Sequence, residues 1–269
     1  MSYKNWSVPK RAMLSSLAAA TALCFSAMAS AAPTAFDGGL PSGWTGVGGF
    51  GTSGADGVVT ASPEGGAYGW VSTNNGVSGT TLAGVGGNNG SLVQSSVFSA
   101  SAGDSLEFYF NYVTSDGGTY SDYAWARLLL SDLTQVAVLF TARTTPDGNS
   151  VPGFGLPGIA AEIEPSFVTI NDGDPTWSPL GSSSNTCFDD GCGYSGWIKS
   201  KYSILNAGNY ILEFGVANWN DGTYQSGLAF DGITVGGTPV ENPIPEPASL
   251  ALLGLGLAGL AWGRRRQAA

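Results

Sequence analysis

The side chains best suited to chemistry in this 269-residue chain are its carboxylates, because it contains 20 Asp and Glu residues and no His. The lack of His excludes Ser-His and Cys-His nucleophile pairs and His-ligated zinc or haem. Paired carboxylates can hydrolyse glycosides, but among 20 carboxylates some pairing is inevitable. Neither a G-x-S-x-G nucleophile elbow nor a G-x-x-x-x-G-K-[ST] phosphate loop is present. The sequence therefore predicts a protein that is not an enzyme, and a glycoside-active enzyme is the most remote alternative.

Four carboxylates are candidate ligands for calcium, a hard cation that prefers several carboxylate and carbonyl oxygens. Asp116 and Asp122 flank one turn, Asp221 begins another, and Asp231 interrupts an apolar strand, where a carboxylate needs a partner or solvent. Further acidic turns lie at residues 171–174 and 189–190. None of them matches the EF-hand calcium loop, so solvated turn carboxylates are the simpler interpretation. No cofactor other than calcium is indicated.

Aromatic side chains in loops could stack on sugar rings, and exposed aromatic patches often mark binding sites. Four rings in or beside predicted loops are candidates for such a ligand-binding surface: Tyr120, Trp125, Trp219 and Tyr224. Burial in the core is the commoner environment of these side chains, so both interpretations stay open.

Two cysteines belong to the body of the chain, Cys187 and Cys192, while Cys24 lies in the N-terminal targeting segment. In an oxidising compartment the two are predicted to form a disulfide. The loop that it closes is short, so the entropic stabilisation is about 2 kcal/mol. A two-Cys metal site would lack further ligands in a chain without His.

The body of the chain shows the two-residue periodicity of β-strands. Alternating large apolar side chains occupy one face of residues 105–113 and of residues 210–216, and residues 124–130 and 135–141 predict a hairpin. The remaining candidate strands are residues 68–73, 92–98, 167–170, 197–203 and 228–235. We find no convincing amphipathic helix, and 41 Gly residues help to punctuate the strands. The pattern predicts an all-β ectodomain, a β-sandwich or jelly roll.

An internal echo links two of these strands. Leu-Glu-Phe at residues 106–108 precedes an Asp-Gly-Gly-Thr-Tyr turn at residues 116–120, and Leu-Glu-Phe at residues 212–214 precedes Asp-Gly-Thr-Tyr at residues 221–224. The echo indicates two similar strand–loop–strand units at one end of the sandwich, unless it is a coincidence of common turn chemistry.

Both ends of the chain have the features of targeting segments. A basic start, an apolar run over residues 12–29 and small residues after it predict a secretory signal peptide, residues 1–31. At the other end, the apolar residues 248–263 predict a short transmembrane helix, which a basic cluster holds on the cytoplasmic side. Between the ends, 4 basic and 20 acidic residues give a net charge of −16, which disfavours nucleic acid as a partner.

The C-terminal segment resembles the PEP-CTERM sorting signal of exosortase substrates, which combines a Pro-Glu-Pro motif, a short apolar helix and an arginine cluster. The residues that carry the resemblance are Pro245, Glu246, Pro247, the apolar residues 248–263, and Arg264, Arg265 and Arg266. It implies that a membrane-embedded exosortase recognises and cleaves the tail. It also implies a Gram-negative host that makes exopolysaccharide. The glycine-rich body is similar to uncharacterised β-rich ectodomains that carry such tails.

These features predict five segments: a signal peptide (1–31), a β-sandwich ectodomain (32–238), a Pro-rich linker (239–247), a transmembrane helix (248–263) and a basic cytoplasmic tail (264–269). The expected function is that of an exported, non-catalytic protein of the cell surface or biofilm matrix. The protein would be held briefly in the inner membrane and then released to the envelope or the outside. The alternative is a jelly-roll carbohydrate-binding module that acts on extracellular polysaccharide.

Overall fold

The computed structural model describes residues 36–145 and 147–240. The predicted signal peptide, transmembrane helix and sorting signal lie outside these residues. Within them the secondary structure consists of strands and one 3₁₀-helix, Ser178–Ser183. The strands are β1 (Thr45–Val47), β2 (Gly49–Ser53), β3 (Tyr68–Ser72), β4 (Val77–Ser78), β5 (Asn89–Gln94), β6 (Phe98–Ala100), β7 (Ser105–Thr114), β8 (Tyr123–Leu130), β9 (Gln135–Arg143), β10 (Glu162–Glu164), β11 (Asn171–Asp172), β12 (Gly193–Tyr194), β13 (Ile198–Ser203), β14 (Gly208–Ala217), β15 (Ser226–Val235) and β16 (Thr238–Pro239).

The described strands form two antiparallel sheets, which confirms the predicted all-β sandwich. The first sheet has the order β1-β5-β14-β8-β9, with β4 beside β5 and β6 beside β14. The second has the order β10-β13-β7-β15-β3-β2, with β12 beside β7, β11 beside β12 and β16 beside β15. The predicted hairpin is the antiparallel pair β8–β9.

The inner faces of the sheets carry the alternating apolar residues that the sequence predicts. Phe108 and Phe110 of β7 meet residues of the first sheet, and the Phe110 and Phe140 rings stack with centroids 3.8 Å apart. Phe214 of β14 stacks on Phe230 of β15 at 4.0 Å. Burial of such rings is the main source of stability for a fold of this kind.

The outer faces of both sheets are partly covered as well. On the first sheet Trp125 lies over Gly215, where a Cβ would collide with the indole. On the second, Trp177 lies over Gly227 and donates from its indole N–H to the Tyr68 hydroxyl at 3.0 Å. Polar side chains that alternate outward from the core can therefore still be buried.

Two predicted strands differ in the structure. Residues 167–170 form no strand, because Val168 bonds instead to the loop at Asn149 and Ser150. Residues 92–98 are interrupted between β5 and β6, where the Ser95 hydroxyl accepts the Leu212 N–H of β14 at 3.0 Å. A side chain there replaces a ladder carbonyl.

The two echoed strand–loop–strand units lie side by side. The chain passes from the second sheet to the first between β7 and β8, and back again between β14 and β15. Because β7 pairs with β15 and β8 pairs with β14, both connecting loops emerge at the same end of the sandwich.

Candidate functional site

The loops 115–122 and 218–225 are bonded to each other at this end of the sandwich. The Ser115 hydroxyl donates to the Gln225 carbonyl at 2.8 Å. The Asp122 carboxylate accepts the Trp219 backbone N–H at 3.0 Å and the Ser226 hydroxyl at 2.7 Å. A buried carboxylate thus joins the two loops.

A third loop, closed by the Cys187–Cys192 disulfide, packs against the first. The Cα atoms of the two cysteines are 5.7 Å apart, which confirms the predicted pairing. The Phe188 N–H donates to the Ser115 carbonyl at 3.1 Å, and the Thr119 hydroxyl donates to the Asp189 carboxylate at 2.8 Å. The disulfide loop therefore lies beside the loops 115–122 and 218–225, and the three loops together form one loop surface.

An aromatic patch on this surface consists of Tyr120, Phe188 and Tyr224, one ring from each of the three loops. The Phe188 ring centroid lies 5.4 Å from Tyr120 and 5.1 Å from Tyr224, and Phe188 is 46% exposed. Tyr224 has a φ of 53°, a left-handed conformation that is rare for a bulky residue and often found at functional sites. The sequence predicted the two tyrosines as ligand-binding residues but not Phe188. The sequence feature that could have indicated Phe188 is a large apolar residue inside an acidic loop between two cysteines.

The two tryptophans predicted to bind a ligand lie elsewhere. Trp125 is fully buried and donates its indole N–H to Glu213 at 3.0 Å, so it has no surface to offer to a ligand. Trp219 packs beside the Tyr123 ring and under the Arg143 guanidinium, which lies 4.5 Å from its centroid. Both belong to the cover of the first sheet rather than to the aromatic patch.

Three of the four predicted calcium ligands, Asp116, Asp122 and Asp221, belong to the loops 115–122 and 218–225 and influence one another electrostatically. Burial, followed by the charge of Asp221, raises the pKa of Asp116 to about 7. The pKa of Asp122 is raised well above its ordinary value by burial and then by the charge of Asp116. The Asp221 carboxylate accepts the Thr223 N–H and hydroxyl at 2.8 and 2.9 Å. Two carboxylates here have environments that favour the neutral form.

Asp231 does not join this group. It lies on β15 five residues beyond Ser226, about 17 Å along an extended strand. Burial raises its pKa to about 6, and the nearby charges of Glu64 and Asp37 act in the same direction. Among residues 36–145 and 147–240, no three or more His, Cys, Asp or Glu side chains are grouped so as to hold a metal ion. Calcium binding by the four predicted residues stays a prediction.

An acidic cavity of about 380 Å³ opens beside the disulfide loop. Four carboxylates line it together with both cysteines and two glycines: Asp147, Asp172, Asp189 and Asp190. Acidic turns far apart in sequence, at residues 171–174 and 189–190, thus face one cavity. It is suited to cationic groups or to donors such as sugar hydroxyls.

Sequence reasoning missed a buried ionic network on the first sheet. Glu213 is fully buried and accepts from the Trp125 indole, from the Gln94 amide at 2.8 Å, and from Arg127 Nε at 2.5 Å and Nη2 at 3.1 Å. The sequence feature that could have indicated this network is an acidic residue, Glu213, inside an apolar strand. The network has no access to solvent through Glu213 and serves the packing of the sheet.

The described part of the protein is thus a β-sandwich with the aromatic patch and the acidic cavity on loops at one end. No helix within that part is long and apolar enough to cross a membrane. The tail supplies the classification: residues 243–266 match the family model described as the PEP-CTERM protein-sorting motif. The match confirms the resemblance carried by Pro245 to Arg266, and the chain is an exported protein with a PEP-CTERM sorting signal.

Comparison with solved structures finds distant likenesses. The K1 and K3 cleaved adhesin domains of Lys-gingipain from Porphyromonas gingivalis W83 both give a TM-score of 0.36, at 11% and 12% identity. Each alignment covers 75% of this chain, and 94% and 95% of the respective domain. The enzymatically active domain of tailspike protein 4 from bacteriophage CBA120 gives 0.32 at 11% identity, covering 77% of this chain and 21% of that one. No curated protein matches the chain. Likeness at this level says nothing about ligands or activity.

Proposed function

We propose that this chain is a non-catalytic protein of the cell surface or extracellular matrix, delivered there after an exosortase removes its tail. The match of residues 243–266 to the sorting motif carries the proposal. The protein would stay in the inner membrane of a Gram-negative cell only until the tail is cleaved. The acidic body, with its net charge of −16, suits a protein that must stay soluble after release.

The environments of two buried carboxylates, Asp122 and Glu213, support a non-catalytic role for them. A general acid or base must come within hydrogen-bond distance of the substrate. Asp122 has a strongly raised pKa, but it is buried and bonded to Ser226 and Trp219. Glu213 is fully buried within its own network. The chain also has no His to act in their place.

Replacement of the sorting residues tests this proposal. Glu246→Gln, or Ala at Arg264, Arg265 and Arg266 together, should leave unprocessed precursor in the membrane fraction of the host. Glu241→Gln and Gln267→Ala are matched controls, because they lie just outside the 243–266 motif, and they should be processed normally. Normal release of the Glu246 and triple-Arg variants would contradict the proposal.

A second candidate function, binding of an extracellular polysaccharide, is favoured by one observation. The aromatic patch of Tyr120, Phe188 and Tyr224 shares the disulfide loop with the acidic cavity, since Phe188 and Asp189 are adjacent. Rings that can stack on a sugar face would thus lie beside carboxylates that can accept its hydroxyls. The carboxylates would repel anionic polymers, so the expected ligand is a neutral polysaccharide.

A glycan array in calcium-containing buffer separates these functions. The full-length protein should bind neutral glycans if it is a binding module, and Phe188→Ala should abolish the signal. Phe167→Ala is the matched control, because Phe167 is 59% exposed and lies outside the aromatic patch. Absence of binding above background would rule out a function as a carbohydrate-binding module. Turnover of a polysaccharide that is lost on a single Asp or Glu replacement would instead establish the glycoside-active alternative.

A further inference from the structure

The chain leaves the described fold near the end of the sandwich that lies opposite the loop surface. Four turns meet at this tail-proximal end: residues 101–104, 131–134, 204–207 and 236–237. The Gly103 N–H donates to the Ile204 carbonyl at 2.8 Å, and the Gly236 N–H donates to the Ser105 carbonyl at 2.9 Å. Hydrogen bonds thus hold three of the four turns together as one surface.

The β8–β9 turn carries a leucine at a position that ordinarily takes glycine. The Leu133 N–H donates to the Leu130 carbonyl, and the Leu130 N–H donates to the Thr134 carbonyl, both at 2.9 Å. This is the pattern of a three-residue hairpin loop, whose last residue is left-handed and best supplied by Gly. Leu133 has a φ of 68°, and its side chain is 54% exposed. Since core packing does not explain a leucine there, the strained position indicates a contact outside the fold.

Further apolar side chains are exposed at the same end. Leu205, in the β13–β14 turn, is 72% exposed, and Leu130 and Val136 flank the hairpin turn at 36% and 40%. Tyr210 pairs with Leu130, and its hydroxyl donates to the Asn206 carbonyl at 2.6 Å. This contact joins the turn that carries Leu205 to the strand beside the hairpin, so the apolar side chains belong to one surface.

The length of the tail decides which end of the sandwich can face a membrane. The Val240 N–H donates to the Ile233 carbonyl of β15 at 3.1 Å, and seven residues separate Val240 from the apolar residues 248–263. Seven residues span at most about 25 Å. Ser226, at the loop-surface end of β15, lies seven residues before Ile233, about 23 Å along an extended strand. The loop surface could therefore reach the membrane only with the linker almost fully extended, whereas the tail-proximal end could reach it with a compact one.

We propose that the tail-proximal end docks on the membrane surface in the precursor, with Leu133 and Leu205 inserted among zwitterionic lipid headgroups. The inference rests on the proposed function, in which residues 248–263 hold the precursor in the inner membrane until the tail is removed. The short tether keeps the surface at a high local concentration near the lipid, so a weak apolar contact is sufficient. Asp132 shares the turn with Leu133, and the body has a net charge of −16, so anionic lipids would oppose docking. The docked sandwich presents the aromatic patch and the acidic cavity away from the membrane.

Spin-label accessibility in phosphatidylcholine vesicles tests this docking. The full-length protein, with Cys24→Ser to remove the free thiol, is labelled with a nitroxide at one of two positions. Ala207→Cys lies beside Leu205, and Gly222→Cys lies on the loop surface, where a Cβ meets nothing within 4 Å. The Ala207 label should be protected from a water-soluble nickel complex, and the Gly222 label should be fully accessible to it. Anionic vesicles should weaken the protection.

Replacement of the two leucines separates docking from a structural role. Leu133→Asn together with Leu205→Asn should expose the label beside Leu205 to the nickel complex. Leu133→Asn alone should not lower Tm, because Asn accepts the left-handed conformation. Phe154→Asn is the matched control and should keep the protection: Phe154 is 73% exposed, and its carbonyl accepts from Arg143 at the loop-surface end. A lowered Tm in Leu133→Asn, with the protection retained in the double variant, would show that the leucine packs on the fold and would overturn the proposal.

The outcomes distinguish failure of this docking from failure of the proposed function. A third label, at Ala251→Cys, reports whether the apolar tail enters the lipid. If it does, and the Ala207 label is as accessible to water as the Gly222 label, the docking is overturned while the membrane stage of the proposed function stands. If the Ala251 label is in water, both are overturned. An accessible Ala207 label, combined with slower tail cleavage of the two-leucine variant in the host, would assign the surface to a protein partner and overturn the lipid contact.

Discussion

Removal of the Cys187–Cys192 disulfide should cost about 2 kcal/mol of stability. The cysteines are five residues apart, so the bond closes a six-residue loop. The entropy that the cross-link removes from the unfolded chain corresponds to about 2.2 kcal/mol at 25 °C for such a loop. The double replacement Cys187→Ser with Cys192→Ser leaves unchanged the residues that form the Phe188–Ser115 and Thr119–Asp189 bonds of the loop. Urea unfolding of the oxidised wild type and of the double variant measures the difference.

Two controls make the disulfide prediction specific. Dithiothreitol should destabilise the wild type by the same amount and leave the double variant unchanged. Amide hydrogen exchange should quicken at residues 187–192, because the loop is then held only by its hydrogen bonds. A loss below about 0.5 kcal/mol, or above about 4 kcal/mol, would refute the reasoning from loop closure. A large loss would mean that the disulfide holds much more of the sandwich than the loop surface.

Two further perturbations test buried charges. Arg127→Met leaves Glu213 buried without its cation and should lower the free energy of unfolding, measured in urea, by about 3 kcal/mol. Adding Glu213→Gln to this variant should restore most of the lost stability. Additive losses from the two replacements would contradict a coupled pair. Because the folded-state pKa of Asp116 is raised to about 7, its neutral form stabilises the fold at low pH, and this stabilisation is lost as pH rises from about 4 to about 7. Asp116→Asn, measured with a chelator present, should make the slope of the stability profile shallower over that range, where Asp122 and Asp231 still contribute with the same sign. An unchanged slope would count against the assigned environment.

The inner half of the sandwich follows directly from the sequence. The alternation of Leu106, Phe108 and Phe110, and of Leu212 and Phe214, is a local pattern, so strand position and inward face can be predicted without knowledge of the partner strands. The same pattern assigns the intervening Glu213 to the solvent side. Its burial depends on Trp125 from the neighbouring strand, a contact that the local pattern does not encode.

The candidate site was only partly predictable for the same reason. Tyr120 and Tyr224 could be placed in loops from their turn residues, and the echo brought those loops to one end. The position of the Phe188 ring between Tyr120 and Tyr224 depends on how the disulfide loop packs on Ser115. Trp125 lies at a loop-proximal position in sequence, but the pairing of β8 with β14 places it over Gly215 inside the structure.

The state of the C-terminus in the protein recovered from its host tests the central claim most directly. If residues 243–266 are a sorting signal that is removed during export, peptide mass spectrometry of the surface or released fraction should find no peptide from the arginine cluster. The ectodomain peptides should be present in the same sample. An intact tail on the mature surface protein, or on a soluble cytosolic species, would contradict the account.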